Sequence, residues 1–195
     1  MIQNIWAIGR NYVEHAKELG NEVPSEPLVF LKAGSCATVA SPEIHLPKWT
    51  TDVHHEVEIA LQFDENLQIS AACVALDLTE RTLQSKLKSK GQPWTLAKSF
   101  TEACPLSHFF SVDSLDELRN IDIKLTVNGE LRQNGNTSLM IFPLEEQIDY
   151  VRQHFPVVAG DLLLTGTPAG VGQIKPGDIL LAEIVGKITH SWTVK

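Results

Sequence analysis

Cysteine is scarce in this 195-residue chain: Cys36, Cys73 and Cys104 are the only three, and no two of them form a CxxC pair. An odd set without that spacing argues against a disulfide framework or a cysteine zinc site, and it points to a reducing compartment. Long apolar runs are missing too. None approaches the roughly 20 residues of a membrane-spanning helix, so no membrane partner is expected. The opening stretch MIQNIWAIGRNY lacks a charged segment followed by a long apolar one, so no secretory leader is expected and the chain reads as cytoplasmic. Cations are outnumbered, with 16 Lys and Arg against 24 Asp and Glu, a formal charge of -8. That balance, without any Lys/Arg run, argues against nucleic acid, whose binding depends on neutralising phosphate. A local cationic pocket for a small anion remains compatible with it. Repeats, GK[ST] and GxGxxG are absent, as are the alternating βαβ units of a nucleotide-binding sheet.

What is present is strand-like. Apolar residues make up 43% and charged residues 21%, both near globular norms. The length fits one domain over 1–195. Runs with strand character cover 2–8, 28–32, 53–63, 70–76, 121–127, 161–165, 178–185 and 187–194. Asn128-Gly129 is a strong hairpin signal, because a tight I′ turn needs φ > 0 at both central residues. Cys73 lies within an apolar run and reads as a small buried hydrophobe.

Helices are few. Residues 143–155 place Leu144, Ile148, Val151 and Phe155 on one stripe. Residues 79–90 form a polar helix with only Leu83 and Leu87 to bury. Residues 12–19 make about two turns, with Asn11 as N-cap, Glu14 in a box-like position and Gly20 as the stop. A helix that short must be held by packing or by a ligand. The sum is an α+β fold built on a large, mainly antiparallel sheet system with few short helices.

Glu56 and Glu58 alternate along the 53–63 run, so they share one strand face with Ala60, while Val57, Ile59, Leu61 and Phe63 fill the other. Two carboxylates about 7 Å apart on one face repel unless a cation sits between them. On spacing alone they also fit an ordinary solvated face. Asp77 adds weight, because it ends an apolar run where side chains converge at a sheet end. Three carboxylates without a cysteine make a hard oxygen site suited to Mg²⁺, Mn²⁺ or Ca²⁺ rather than zinc. His54 and His55 flank the pair and leave a mixed N/O site as the lesser option.

An ordered series of motifs runs from near residue 9 to near residue 185. It comprises Gly9-Arg10-Asn11-Tyr12 with His15 and Glu18, LVFLK at 28–32, His55-Glu56-Val57-Glu58, and Asp77-Leu78-Thr79-Glu80-Arg81 with Gln84. Lys98-Ser99-Phe100, Cys104-Pro105-Leu106, Val127-Asn128-Gly129 with Gln133 and Thr137, TGTPAGVG at 165–172 and Pro176-Gly177-Asp178 follow. The series resembles the catalytic domain of the fumarylacetoacetate hydrolase family, in its small acylpyruvase/oxaloacetate decarboxylase branch. The resemblance implies a sheet roll or sandwich, a homodimer, and Mg²⁺ or Mn²⁺ held by Glu56, Glu58 and Asp77. Two features depart from it. Glu80 and Thr82 flank Arg81 where relatives read Ala-Arg-Asp, and 64–70 is a short link.

His15 and Glu18, three apart, share a helix face. A carboxylate beside an imidazole raises its basicity, which suits a general base near neutral pH, although such pairs are common on ordinary surfaces. The resemblance makes this helix a lid over the site, with 10–24 mobile until a ligand closes it. Arg10, Arg81 and Lys98 are candidates for holding a carboxylate or enolate. Gln84 is one turn from Arg81 and can point with it. Tyr12 joins them through its motif, and Thr167 offers a hydroxyl in the glycine-rich turn.

The expected activity is hydrolysis of a C–C bond in an acylpyruvate-like 2,4-dioxo acid. The cation acts as Lewis acid, His15 with Glu18 activates water, and pyruvate enolate leaves with its charge held by the metal and Lys98. Oxaloacetate decarboxylation or 2-oxo acid tautomerisation would use the same residues. A rival from another class is a silent metal- or small-molecule-binding module, and a structural β protein would leave the three carboxylates far apart.

Overall fold

The apolar runs pair into three sheets. The computed structural model describes residues 2–20 and 22–195. The largest sheet has eight strands. Its middle is Leu162–Leu164, Val57–Phe63 and Ile69–Leu76, antiparallel neighbours in that order. Asn4–Gly9 runs parallel to Leu162–Leu164 and pairs on its other side with the edge strand Leu28–Ala33. A five-stranded sheet contains Asp122–Val127, Glu130–Asn136, Ile179–Ile184 and Ile188–Val194. A small third sheet joins Val53–His55 to Gly172–Gln173 and Thr79–Glu80. Most pairings are antiparallel, the longest helix has 11 residues, and the expected α+β class stands.

The central strand Val57–Phe63 is buried on both faces, with Ile59, Ala60 and Leu61 fully enclosed. Its contents are apolar except at Glu58 and Gln62, as burial on two sides requires. The hairpin at Asn128-Gly129 forms as expected, with φ of 53° and 82°.

Four expectations need correction. The 53–63 run is two strands in different sheets, separated at Glu56. The reason is a competing acceptor: the Val57 N–H goes to the Gln133 side chain at 3.0 Å. Asn11 does not cap the first helix, Val13–Glu18; Tyr12 precedes that helix without a side-chain cap. The Asn11 amide instead donates to Thr165 O at 2.8 Å, and its Oδ1 accepts from Phe142 N at 2.8 Å. The polar helix starts at Arg81 and its buried residue is Gln84, not Leu83 or Leu87. Its N-cap is Glu80, whose Oε2 accepts from Leu83 N at 2.6 Å. The lid helix lies packed, with Tyr12, His15 and Ala16 buried. Of the proposed lid 10–24, Asn21 lies outside the described residues.

Candidate active site

Strand register brings the three carboxylates together. Val57 pairs with Leu76 and Glu58 with Ala75, which places Asp77 opposite Glu56, and Asp77 N donates to Glu56 O at 2.8 Å. One oxygen from each of Glu56, Glu58 and Asp77 lies within 4.8 Å of the others. All three side chains are buried. A purely structural β protein, with these groups dispersed, is thereby excluded.

Buried carboxylates need compensation. Lys98 Nζ is 2.8 Å from Glu56 Oε2 and also donates to Asp77. Arg81 donates to Glu56 and, at 2.8 Å, to Gln84 Oε1. Lys32, not singled out from sequence, is fully buried and donates to Asp77 Oδ1 at 2.7 Å. Burial opposes ionisation of Glu56, but Lys98 and Arg81 outweigh it and hold this carboxyl well below the usual range. Glu58 differs. Among the described residues its hydrogen-bond partner is the Gly166 N–H at 2.7 Å. Burial first, then the charges of Asp77 and Glu56, push its carboxyl well above the usual range. The triad thus has a deficit of positive charge centred on Glu58, which a proton or a divalent cation would fill. Three converging, buried, oxygen-only donors with that deficit fit a hard cation.

The triad forms one wall of a cavity. Arg10, His15, Arg81, Gln84, Lys98 and Thr167 line it as well. His15 Nδ1 is 3.2 Å from Glu18 Oε2, so the expected pair exists. Burial lowers the His15 pKa, with Glu56 and Glu18 offsetting part of the effect, and the ring is neutral near pH 7. Glu18 does not line the cavity; the Gly170 N–H holds it at 3.0 Å.

Two expected contacts take other roles. The Thr167 hydroxyl donates to Val57 O at 2.8 Å and accepts from Gln133 Nε2 at 2.7 Å, so its proton is already engaged. Tyr12 lies outside the cavity lining, with its hydroxyl buried and unpaired and its backbone bridged to Met140. His54 pairs with Asp52 at 2.9 Å and His55 Nδ1 with Gln133 at 2.9 Å, and neither belongs to the converging carboxylate group.

The unusual neighbours of Arg81 have structural work. Glu80 Oε1 accepts from Asp52 N at 3.2 Å, and the Thr82 hydroxyl donates to Asp52 Oδ2 at 2.7 Å. Together they pin the Arg81–Ser89 helix to the 51–53 segment, and neither lines the cavity.

Sequence reading also passed over Lys88 and Trp94, both in the lining. The available signal was helical spacing: Arg81, Gln84 and Lys88 stand at i, i+3 and i+7, one face of the helix.

The fumarylacetoacetate (FAA) hydrolase C-terminal family profile matches residues 4–194. An oxaloacetate decarboxylase, mitochondrial, from Dictyostelium discoideum is 41% identical, covering 94% of this chain and 89% of that protein. An oxaloacetate tautomerase FAHD1, mitochondrial, from Bos taurus is 38% identical, covering 99% and 92%. A crystal structure of fumarylpyruvate hydrolase from Pseudomonas aeruginosa in complex with Mn²⁺ and pyruvate aligns with a TM-score of 0.93 at 28% identity, covering 99% and 89%. The mitochondrial relatives overturn the cytoplasmic expectation. Free cysteines report a reducing environment, which does not by itself single out the cytosol. No helix among the described residues is long and apolar enough to cross a membrane.

Proposed function

The chain belongs to the fumarylacetoacetate hydrolase family, and from that premise we propose that it is a divalent-metal-dependent enzyme acting on short 2-oxo acids through a pyruvate-type enolate. The observation that carries this reading is the convergence of Glu56, Glu58 and Asp77 in a cavity that also presents His15. Mg²⁺ or Mn²⁺ is the proposed ion, on the chemistry of an all-carboxylate donor set. When bound, it supplies Lewis-acid polarisation to the carboxylate and keto oxygens of the substrate.

The remaining steps belong to the side chains. Glu18 holds the His15 Nδ1–H, which leaves Nε2 free to accept a proton. That proton comes from water in hydrolysis, or from the carbon next to the ketone in tautomerisation. Lys98 and Arg81 place cationic donors beside Glu56, where they stabilise negative charge as it develops on the enolate oxygen. Gln84, held by Arg81, orients the substrate within the same wall.

Hydrolysis of an acylpyruvate-like 2,4-dioxo acid and conversion of oxaloacetate demand the same groups. The oxaloacetate decarboxylase and tautomerase relatives favour oxaloacetate, and the Mn²⁺- and pyruvate-bound hydrolase supports the hydrolytic reading. Purified protein assayed with oxaloacetate and an acylpyruvate, with Mg²⁺, Mn²⁺ or a chelator, decides among them. Metal-dependent loss of either substrate is the expected result. Metal binding without turnover of either would instead make the chain a silent binding module. We also propose that 1–195 acts as one catalytic unit and assembles as a homodimer, which sedimentation at micromolar concentration tests.

A further inference from the structure

The face of the Arg81–Ser89 helix that supplies Arg81 and Gln84 continues one turn further to Lys88. Arg81 is committed to Glu56 and Gln84, and Lys98 to Glu56 and Asp77. Lys88 is not committed. Its ammonium pairs with no carboxylate among the described residues and rests 4.7 Å from the centre of the Trp94 ring. Cation–π contact holds the group in place without neutralising it. Arg10 is in the same condition. It lines the same cavity, its Nε is buried without a partner, and its backbone sits at φ 61°, a left-handed conformation that is strained for a non-glycine residue. Strain of this kind persists where surrounding structure enforces it, and here it accompanies a side chain turned into the cavity.

Arg10 and Lys88 are two half-buried cations without a carboxylate partner that repel one another across one cavity, and an anion placed between them would relieve that repulsion. Glu56 and Asp77 are not that anion for Lys88, because Lys98, Lys32 and Arg81 already pair with them, and Glu58 is the carboxylate left for the cation of the triad. The anion must therefore come from a ligand.

We propose that Lys88, with Arg10, forms a second anion subsite that binds the distal carboxylate of a dicarboxylic 2-oxo acid and so selects dicarboxylates over monocarboxylates. This deepens the 2-oxo acid reading and rests on it. The triad takes the 2-oxo acid end, and the free cations take the far end. The lowered basicity of Lys88, caused by burial first and then by Arg10, Arg81 and Lys98, agrees with a cation crowded by like charges and lacking a counter-ion.

The test compares L-malate with L-lactate, stable 2-hydroxy acids that differ by the distal carboxylate, as ligands of the Mn²⁺-loaded protein. Isothermal titration gives their affinity ratio in the wild type, Lys88→Met and Lys88→Arg. Methionine keeps the apolar stem over Trp94 and removes the charge. The malate preference should fall about 10–100-fold in Lys88→Met and survive in Lys88→Arg. An unchanged ratio in Lys88→Met, or an equal fall in both variants, would overturn the proposal. Because the readout is binding, absence of turnover in the oxaloacetate and acylpyruvate assays would reject the enzyme reading without deciding the subsite.

Discussion

The backbone N–H of Gly170 donates to Glu18 at 3.0 Å, across 152 residues of sequence. This contact joins the Val13–Glu18 helix to the glycine-rich turn, and the same turn holds Glu58 through the Gly166 N–H. The glycines thus present their amides to the protein's own carboxylates. Gly170 has φ of 101°, and an added Cβ would run into the Arg132 carbonyl. Gly170→Ala should therefore cost at least about 1–2 kcal/mol of stability and release Glu18. A fall in thermal midpoint together with a reduced kcat is expected. A variant with wild-type stability and activity would remove this link from the mechanism.

His15 and Glu58 separate the roles of base and metal donor. His15→Ala should lower kcat by about 10²–10⁴ while leaving Mn²⁺ affinity nearly unchanged, since the imidazole lies outside the triad. Glu58→Ala should abolish both. Metal titration alongside steady-state kinetics reads the split, and a fully active His15→Ala would return His15 and Glu18 to a structural pair.

Lys32 makes the third case. It donates to Asp77 Oδ1 at 2.7 Å, to Leu78 O at 3.3 Å and to Lys98 O, all within the core. Lys32→Met removes one of the two cationic partners of Asp77 and leaves Lys98 alone to compensate it, a loss of up to about 3–5 kcal/mol. For a chain of this size that corresponds to roughly 6–20 °C in thermal midpoint, measured in chelator. A shift under about 2 °C would show that Asp77 finds its compensation elsewhere.

These residues also mark what sequence could convey. The Glu56–Glu58–Asp77 group was legible only in part from local patterns, the Glu-x-Glu spacing and the end of an apolar run, which also fit a solvated face; the ordered motifs of the family resemblance tipped the balance. Asn128-Gly129 was legible because two consecutive positive φ angles restrict residue type. Lys32 was not, since in LVFLK it reads as a strand's polar end, and its partner lies 45 residues away. The break at Glu56 depends on Gln133, 76 residues beyond Val57, so no local pattern announces it. Glu80 and Thr82 looked like departures that endangered the site, because their helix-anchoring contacts with the 51–53 segment exist only once the chain has folded. Lys88 is different in kind. Its i+7 relation to Arg81 was available, and only the half-polar character of the helix hid it.

The pH profile follows from two groups that must be in opposite states. His15 must be neutral to accept a proton. Burial, the largest influence, lowers its pKa below 6.5; Glu56 and Glu18 raise it in part, and Arg81 lowers it again. Activity should therefore rise from acid pH with a midpoint below that of a free imidazole, and the limb should be absent in His15→Ala. Lys88 must be charged to hold a distal carboxylate. Burial, then Arg10, Arg81 and Lys98, bring its pKa down to about 8, with Glu56 opposing weakly. The cation is present below that value and is lost above it. For oxaloacetate, kcat/KM should accordingly fall as pH rises through about 8, and for a monocarboxylic acylpyruvate it should not. Lys88→Met should lie lower throughout with oxaloacetate and lack this alkaline limb. If the limb stays at the same pH in Lys88→Met, it belongs to another group, and Lys88 has no part in recognising the charged substrate.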